Sequence, residues 1–222
     1  MITLHHLNNS RSQRILWLLE ELGLEYNIEF YERDPKTILA PDSLKRVHPL
    51  GKSPIITDKQ TSITLAESGA IIEYLIDTYG EQFKAPKEQH WNNVYWLHFA
   101  EGSLMPPMVM RLVFTKMKQS PMPFFIKPIA RMLADKVLSM FIDPNNKRNL
   151  EYVESHLSQN KYFCGDQVTA ADFQMSFPLE ASVARGMIRE DNYPHTYEYV
   201  KRFQARDAYK RGLEKGGEYD YA

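Results

Sequence analysis

The sequence predicts two structural units in tandem: an α/β unit of order βαβαββα over residues 1–80, then an all-helical unit over residues 88–222. Three observations carry this. Strand-like and helix-like hydrophobic periods alternate through the first eighty residues, and only the helical period persists afterwards. A stretch bearing Gly80 and Pro86, residues 80–87, separates the two patterns and reads as a linker. With 222 residues, 43% of them hydrophobic and 25% charged, the chain suits one large globular domain or two modest ones.

Residues 2–7 read as the first strand. The polar turn Asn8-Asn9-Ser10 leads to a helix from about residue 11 to 22, whose Ile15, Leu18, Leu19 and Leu22 follow the i, i+3, i+4, i+7 pattern. Gly23 stands where a helix commonly ends in the left-handed conformation. In residues 26–31, Tyr26, Ile28 and Phe30 alternate with Asn27, Glu29 and Tyr31, a second strand. Strand, helix and strand at this spacing make a βαβ unit with parallel strands. A short helix is expected over residues 42–47.

Residues 48–79 organise the rest. Pro49-Leu50-Gly51-Lys52-Ser53-Pro54 is a turn into the apolar Ile55-Ile56, and Pro54, which has no amide to donate, should open that strand. The polar Asp58-Lys59-Gln60 and a strand over residues 62–65 complete a hairpin. Glu67-Ser68-Gly69 then starts a helix with Ile71, Ile72, Leu75, Ile76 and Tyr79 on one face. The sum is a thioredoxin-like unit. A helix N-terminus holds anions, and a turn forced by proline leaves main-chain groups free to pair with a peptide, so this stretch suits a small anionic peptide. Taken alone, Glu67 and Ser68 read equally as first-turn dipole and capping residues.

In the second unit Trp91, Val94, Tyr95 and His98 share one helical face, and Met105-Pro106-Pro107-Met108 should kink or break that helix. Helical segments are expected over residues 122–142 and 145–158 around Asp143-Pro144. Thr169-Ala170-Ala171-Asp172 fits a capping box, with Val168 and Phe173 as the hydrophobic staple, and residues 194–213 read as one helix burying Tyr197, Val200 and Phe203.

Composition excludes several classes. A net charge of −1 gives no sign of general nucleic-acid or membrane binding. No apolar run approaches the roughly 18 residues of a membrane span, and the N-terminus lacks a secretory pattern. The single cysteine, Cys164, rules out an internal disulfide or a Cys-x-x-Cys pair and points to a reducing cytoplasm; its neighbours Phe163 and Gly165 read it as buried. The seven histidines show no metal spacing, and His5, His6 and His48 read as structural.

Gly51-Lys52-Ser53-Pro54 and Glu67-Ser68 resemble, in order and separation, the N-terminal domain of the glutathione transferases. There a Gly-x-x-Pro turn carries a cis proline and a Glu/Asp-Ser pair opens the third helix. The capping box and staple at residues 168–173, after Gly165-Asp166, resemble the family's buried sixth helix, so the likeness spans nearly the whole chain. It implies a homodimer, joined through the family's third and fourth helices. It also implies a transferase that makes glutathione a thiolate for attack on hydrophobic electrophiles, with organic peroxide reduction as a second possible activity. Glutathione is then a co-substrate and no cofactor is needed. A free thiol near pKa 8.5 is only about 3% ionised at pH 7, so the thiol needs activating.

For that role the resemblance points to Ser10, since neither Tyr nor Cys follows the first strand; Asn9 and Ser12 are its rivals, and Ser10-Arg11-Ser12-Gln13 also fits a capping box. The resemblance sets Ser53 and Pro54 against the cysteinyl backbone, Glu67 and Ser68 at the γ-glutamyl end, and Lys52 at the glycyl carboxylate. Many serine-type members hold that carboxylate with a His or Lys near the second helix, where this chain has Ile38-Leu39-Ala40-Pro41. Met105, Met108, Met110, Met117, Met122, Met132 and Met140, with Phe114, Phe124 and Phe125, read as a pliable electrophile pocket or as helical core. Two other functions compete: a non-catalytic binding or assembly module on the same fold, and nucleic-acid binding through the basic segment 111–148.

Overall fold

Alternation in the first unit produces a four-stranded sheet. The computed structural model describes every residue of the chain except Lys36 and Ile38. β1 (Ile2–Leu7) pairs parallel with β2 (Tyr26–Tyr31) and antiparallel with β3 (Ile55–Asp58), which pairs antiparallel with β4 (Ile63–Ala66), giving the order β2-β1-β3-β4. The hairpin strand starts one residue later than expected because Ser62 takes a left-handed turn conformation (φ 58°). α1 (Gln13–Leu22) and α2 (Ser68–Tyr79) cover the sheet, and a 3-10 turn (Asp42–Arg46) stands where a short helix was expected. Gly80 ends α2 against α1: a Cβ there would meet Leu22 Cδ2 at 2.6 Å and Ile76 Cα at 3.1 Å, so a larger residue would have to push the Leu22 side chain aside.

The expected linker is tied down. It forms 3-10 turns at Glu81–Phe83 and Lys87–Gln89, and Phe83 is buried in the core. Helices α3 (His90–Phe99) and α4 (Met105–Gln119) follow, then α5 (Lys127–Val137), α6 (Asp143–Leu157), α7 (Ala170–Ala184), α8 (Pro194–Gln204) and α9 (Asp207–Gly216).

Neither proline site breaks its helix. Ala100–Leu104 is a π-helical turn joining α3 to α4, and Leu138–Ile142 joins α5 to α6 in the same way. The prolines fall at the first positions of α4 and α6, where the widened turn asks for no amide that they lack. The buried face of α3 is Trp96, Leu97 and Phe99, while Trp91 and Tyr95 are exposed. At the C-terminus the expected single helix divides at Ala205–Arg206, where Arg206 is extended (ψ 138°), and Tyr199 rather than Tyr197 is fully buried.

One apolar core runs through both units. Trp17 of α1 stacks on Phe203 of α8 (5.1 Å between ring centroids) and packs on Phe173 of α7 (4.5 Å). The capping box at the start of α7 forms, and its acid does more than cap. Asp172 accepts the Thr169 amide (2.8 Å) and hydroxyl (3.1 Å), the Phe163 amide (3.0 Å) and the Tyr199 hydroxyl (3.0 Å). Burial pushes its carboxyl up to about 6 against the pull of these donors. Cys164 is buried nearby, and burial raises its thiol to about 11.

Removing that acceptor leaves several buried donors unpaired, each at a cost of about 1–3 kcal/mol. Asp172→Ala should therefore destabilise the protein by roughly 3 kcal/mol or more in urea unfolding, against about 0.5–2 kcal/mol for Thr169→Ala, which removes one cap. Equal losses would mean that Asp172 only caps α7.

Candidate functional site

The loop leaving β1 carries the first group of candidate residues. After Leu7 the chain passes Asn8, Asn9 (φ 49°) and Ser10 before α1 begins at Gln13. The capping pattern at Ser10 resolves differently from a box: the Gln13 amide donates to the Ser10 carbonyl (3.2 Å), and Ser10 Oγ accepts the Ser12 amide (3.2 Å). Ser10 Oγ lies 2.8 Å from Ser12 Oγ, which lies 2.8 Å from His6 Nδ1 and 3.3 Å from the Leu7 carbonyl it can donate to. Burial lowers the His6 imidazole to about 4, against a hydrogen bond to the Gly216 backbone, so the ring is neutral at pH 7. A neutral ring carries one N–H. With that proton on Nδ1, the chain of donors runs from His6 to Ser12 to Ser10 and leaves the Ser10 proton free to point outward. With it on Nε2, Ser12 donates to His6 and Ser10 to Ser12.

The rivals of Ser10 are occupied. Asn9 Nδ2 donates to Asp220 Oδ2 (2.8 Å), and its Oδ1 accepts the Asp220 amide (2.8 Å). Ser12 has no exposed surface.

The second group lies on the turn before β3. Gly51 is left-handed (φ 57°), and the stem of Lys45 packs so closely that a Cβ there would meet Lys45 Cγ at 2.7 Å. Ser53–Pro54 is a cis peptide bond. The Ser53 hydroxyl donates to the His5 carbonyl (3.0 Å) and accepts the Leu7 amide (3.3 Å), so its side chain staples the turn to β1. Ile55 pairs with Ala66 as the last step of the β3–β4 ladder, so Pro54 and Glu67 leave the hairpin from the same end.

The third group stands at the N-terminus of α2. Glu67 is exposed and left-handed (φ 70°), and Ser68 is buried with its hydroxyl accepting Arg14 Nη1 (3.2 Å). The same Nη1 donates to Glu101 Oε1 (3.0 Å), and Arg11 Nη1 donates to Glu101 Oε2 (2.8 Å). Burial opposes ionisation of Glu101, but the Arg14 and Arg11 guanidiniums outweigh it and hold the carboxyl below its usual range.

These elements enclose a cavity of about 740 Å³ between the two units. One side is polar, with Ser10, Arg11, Arg33, Lys45, Lys52 and Ser53; the other is apolar, with Met105, Pro106, Val109 and Phe177. Of the residues expected from the sequence, Ser10, Lys52 and Ser53 line it; Pro54, Glu67 and Ser68 do not, although Ser68 joins its wall through Arg14 and Glu101. Leu39 and Ala40 line it too, whereas Ile38 lies outside the described residues. The cation missing from residues 38–41 is present a few residues on, as Lys45.

The methionine expectation needs correcting. Among its ten residues only Met105 lines the cavity, because the turn of α4 presents Met105, Pro106 and Val109 to it and buries Met108 in the core. Met110, Met117, Met132, Met140, Phe124 and Phe125 are exposed outside the cavity. Sequence reasoning missed Arg33, Lys45, Glu101 and Phe177. A cation near the Gly51 turn was a readable signal for Lys45; the others arrive from distant segments and carried none.

Comparison with known proteins agrees with this geometry. Residues 10–78 match the family model described as the glutathione S-transferase N-terminal domain, and residues 104–207 match the corresponding C-terminal domain. The chain is 37% identical to glutathione S-transferase 3 of Schizosaccharomyces pombe, covering 97% of this chain and 88% of that protein. It is 35% identical to glutathione S-transferase 1 of Saccharomyces cerevisiae, covering 97% and 95%. A crystal structure of a glutathione S-transferase from Actinobacillus pleuropneumoniae superposes with a TM-score of 0.76 at 32% identity, covering 97% of this chain and 93% of that one.

The neutral imidazole behind Ser12 is open to direct measurement. A base held below its ordinary pKa of 6.5 resists protonation in the fold, so its contribution to stability is complete above pH 6.5 and is lost as pH falls toward 4, up to roughly 3 kcal/mol. The His6 ring resonance should titrate near pH 4 by NMR. Titration near 6.5 would show an imidazole open to water.

Proposed function

The chain belongs to the glutathione S-transferase family of enzymes, and from that premise we propose that its cavity binds glutathione with the thiol at Ser10 and delivers the thiolate to a hydrophobic electrophile. One observation carries the reading: the polar wall with Ser10 and the apolar wall with Met105, Val109 and Phe177 face each other across a single cavity. A peptide thiol on the first wall stands beside the place where an apolar molecule would lie on the second, which is the proximity the reaction needs.

On this reading the Ser53 main chain, held in place because its hydroxyl ties the turn to β1, pairs with the cysteinyl backbone as an added strand. Lys45 and Lys52 take the glycyl carboxylate. The γ-glutamyl end meets Glu67 and the first amides of α2, where the helix N-terminus favours a carboxylate. Ser10 donates to the sulfur while its oxygen accepts the Ser12 amide, so binding of the thiolate turns the Ser10 hydroxyl outward. Lowering the thiol pKa from about 8.5 to about 6.5 raises the thiolate fraction at pH 7 from roughly 3% to roughly 75%, a shift worth about 2.7 kcal/mol. A reducing cytoplasm keeps glutathione as the thiol that this chemistry consumes.

The test uses glutathione, a chromogenic aryl halide and a pH titration of thiolate absorbance. The wild-type complex should ionise below pH 7. Ser10→Ala should return the bound thiol toward its free value and cut turnover with little change in glutathione affinity; Ser12→Ala should raise the pKa by a smaller step. If Ser10→Ala keeps both titration and rate, Ser10 is structural. Absence of turnover across aryl halides, epoxides, isothiocyanates and hydroperoxides would favour the binding module.

We also propose a homodimer through α2 and α3. The supporting observation is that Trp91 (77% exposed) and Tyr95 (46%) stand on the outer face of α3. Sedimentation at micromolar concentration should give twice the 26.0 kDa chain mass, and Trp91→Glu should shift the protein toward monomer.

A further inference from the structure

Among the described residues, thirteen of the twenty-one exposed large apolar side chains fall within residues 109–141, a concentration that a scattering of single surface residues does not produce. They occupy the outer part of α4, the turn after it, α5 and the π-helical turn that follows. At the tip Phe124 is 86% and Phe125 64% exposed, and Ile126, Ile129 and Leu133 continue as a stripe along α5, whose Ala134 faces inward. On α4, Val109, Val113 and Met117 are exposed at i, i+4 and i+8. Val109 also lines the cavity, so an apolar track leads from its lip toward the tip, about 20 Å along the 15-residue helix.

Charge says what covers this face. Asp135 is the only carboxylate between Glu101 and Asp143, and both aspartates are spoken for, Asp135 by Lys118 and Asp143 by Arg111 (2.9 Å). Lys116, Lys127, Arg131 and Lys136 are exposed around the apolar residues, and none of them enters an ion pair among the described residues. A second copy of the chain on a two-fold axis would set these cations against themselves. A nucleic acid would find phosphate partners but would bury phenylalanine and isoleucine against a polar backbone. A bilayer leaflet rich in anionic lipid answers both features, with acyl chains for the aromatic and aliphatic groups and headgroups for the cations.

We infer that the tip of the α4–α5 hairpin is a docking surface for an anionic membrane leaflet. The protein lies on the bilayer, with the cavity lip joined to the lipid by the Val109–Val113–Met117 track. No helix among the described residues is long and apolar enough to cross a membrane, so the attachment is peripheral. The inference rests on the surface and stands whether or not Ser10 activates a thiol.

Flotation with vesicles decides it. The full-length protein should float with phosphatidylcholine vesicles containing 30% phosphatidylserine. Binding should fall at least tenfold with pure phosphatidylcholine, and also when salt is raised from about 0.1 to 0.5 M. Phe124→Ser with Phe125→Ser, and separately Lys127→Glu with Arg131→Glu, should each lower binding at least tenfold, while turnover in vesicle-free buffer stays at the wild-type level. Failure of the wild type to float, or equal flotation by the variants, overturns the inference. So does a drop in oligomeric mass for the phenylalanine pair, which would make the face a subunit contact. Salt-dependent binding to random DNA that survives loss of the phenylalanines would assign the face to nucleic acid instead.

Discussion

One buried guanidinium holds the site together. Arg14 of α1 has no exposed side-chain surface, and burial disfavours its charge, so the fold must supply a counter-charge and acceptors. It finds Glu101 on the π-helical turn of the helical unit and Ser68 at the head of α2. It also lies over the Phe177 ring from α7, 5.4 Å from the centroid. Three sides of the cavity are thus located relative to one another by a single side chain. Arg11 adds a second cation to Glu101 at the cavity wall, and the joint between the two units is therefore ionic at the cavity and apolar where Trp17 packs.

The π-helical turns serve the same joint. An uninterrupted α-helix from His90 onward would have to accommodate Pro106 and Pro107 in its interior, at about 3 kcal/mol or more per residue. Inserting the wider turn at Ala100–Leu104 moves the prolines to the start of α4, puts Glu101 where Arg11 and Arg14 can reach it, and rotates Met105, Pro106 and Val109 to face the cavity. The irregularity lies beside the site, where such turns are frequently found.

The cavity divides its labour by dielectric. Its polar wall is built by the loop after β1, the segment after β2 and the turn before β3, which bring Ser10, Ser53 and the cations Arg11, Arg33, Lys45 and Lys52 to one side. Its apolar wall belongs to α4 and α7 and offers nothing that specifies a shape beyond hydrophobicity. Behind the polar wall, the Ser10–Ser12–His6 chain ends on a neutral imidazole, so the hydroxyl at the surface is oriented by groups that carry no net charge. The exposed apolar tip is separate from this chemistry but continuous with its apolar side.

Sequence by itself determined the features written in local spacing. Gly51-Lys52-Ser53-Pro54, Glu67-Ser68 and Thr169-Ala170-Ala171-Asp172 are each complete within a few residues, because turns, helix starts and capping boxes are made by near neighbours. The alternation of periods through residues 1–80 made the sheet and its order of elements legible for the same reason. Tertiary structure decided whatever depends on reach. Arg33, Glu101 and Phe177 enter the cavity from three segments that no pattern connects, and His6, read as structural, stands two hydrogen bonds behind Ser10. Methionine content was visible, but which methionines face the cavity, the core or the solvent depends on how α4 is rotated, and that rotation follows from a π-helical turn that local propensity does not encode. Residues bound by the chain's own geometry were readable; residues brought together by packing were not, because packing energy belongs to pairs of surfaces rather than to either stretch of sequence.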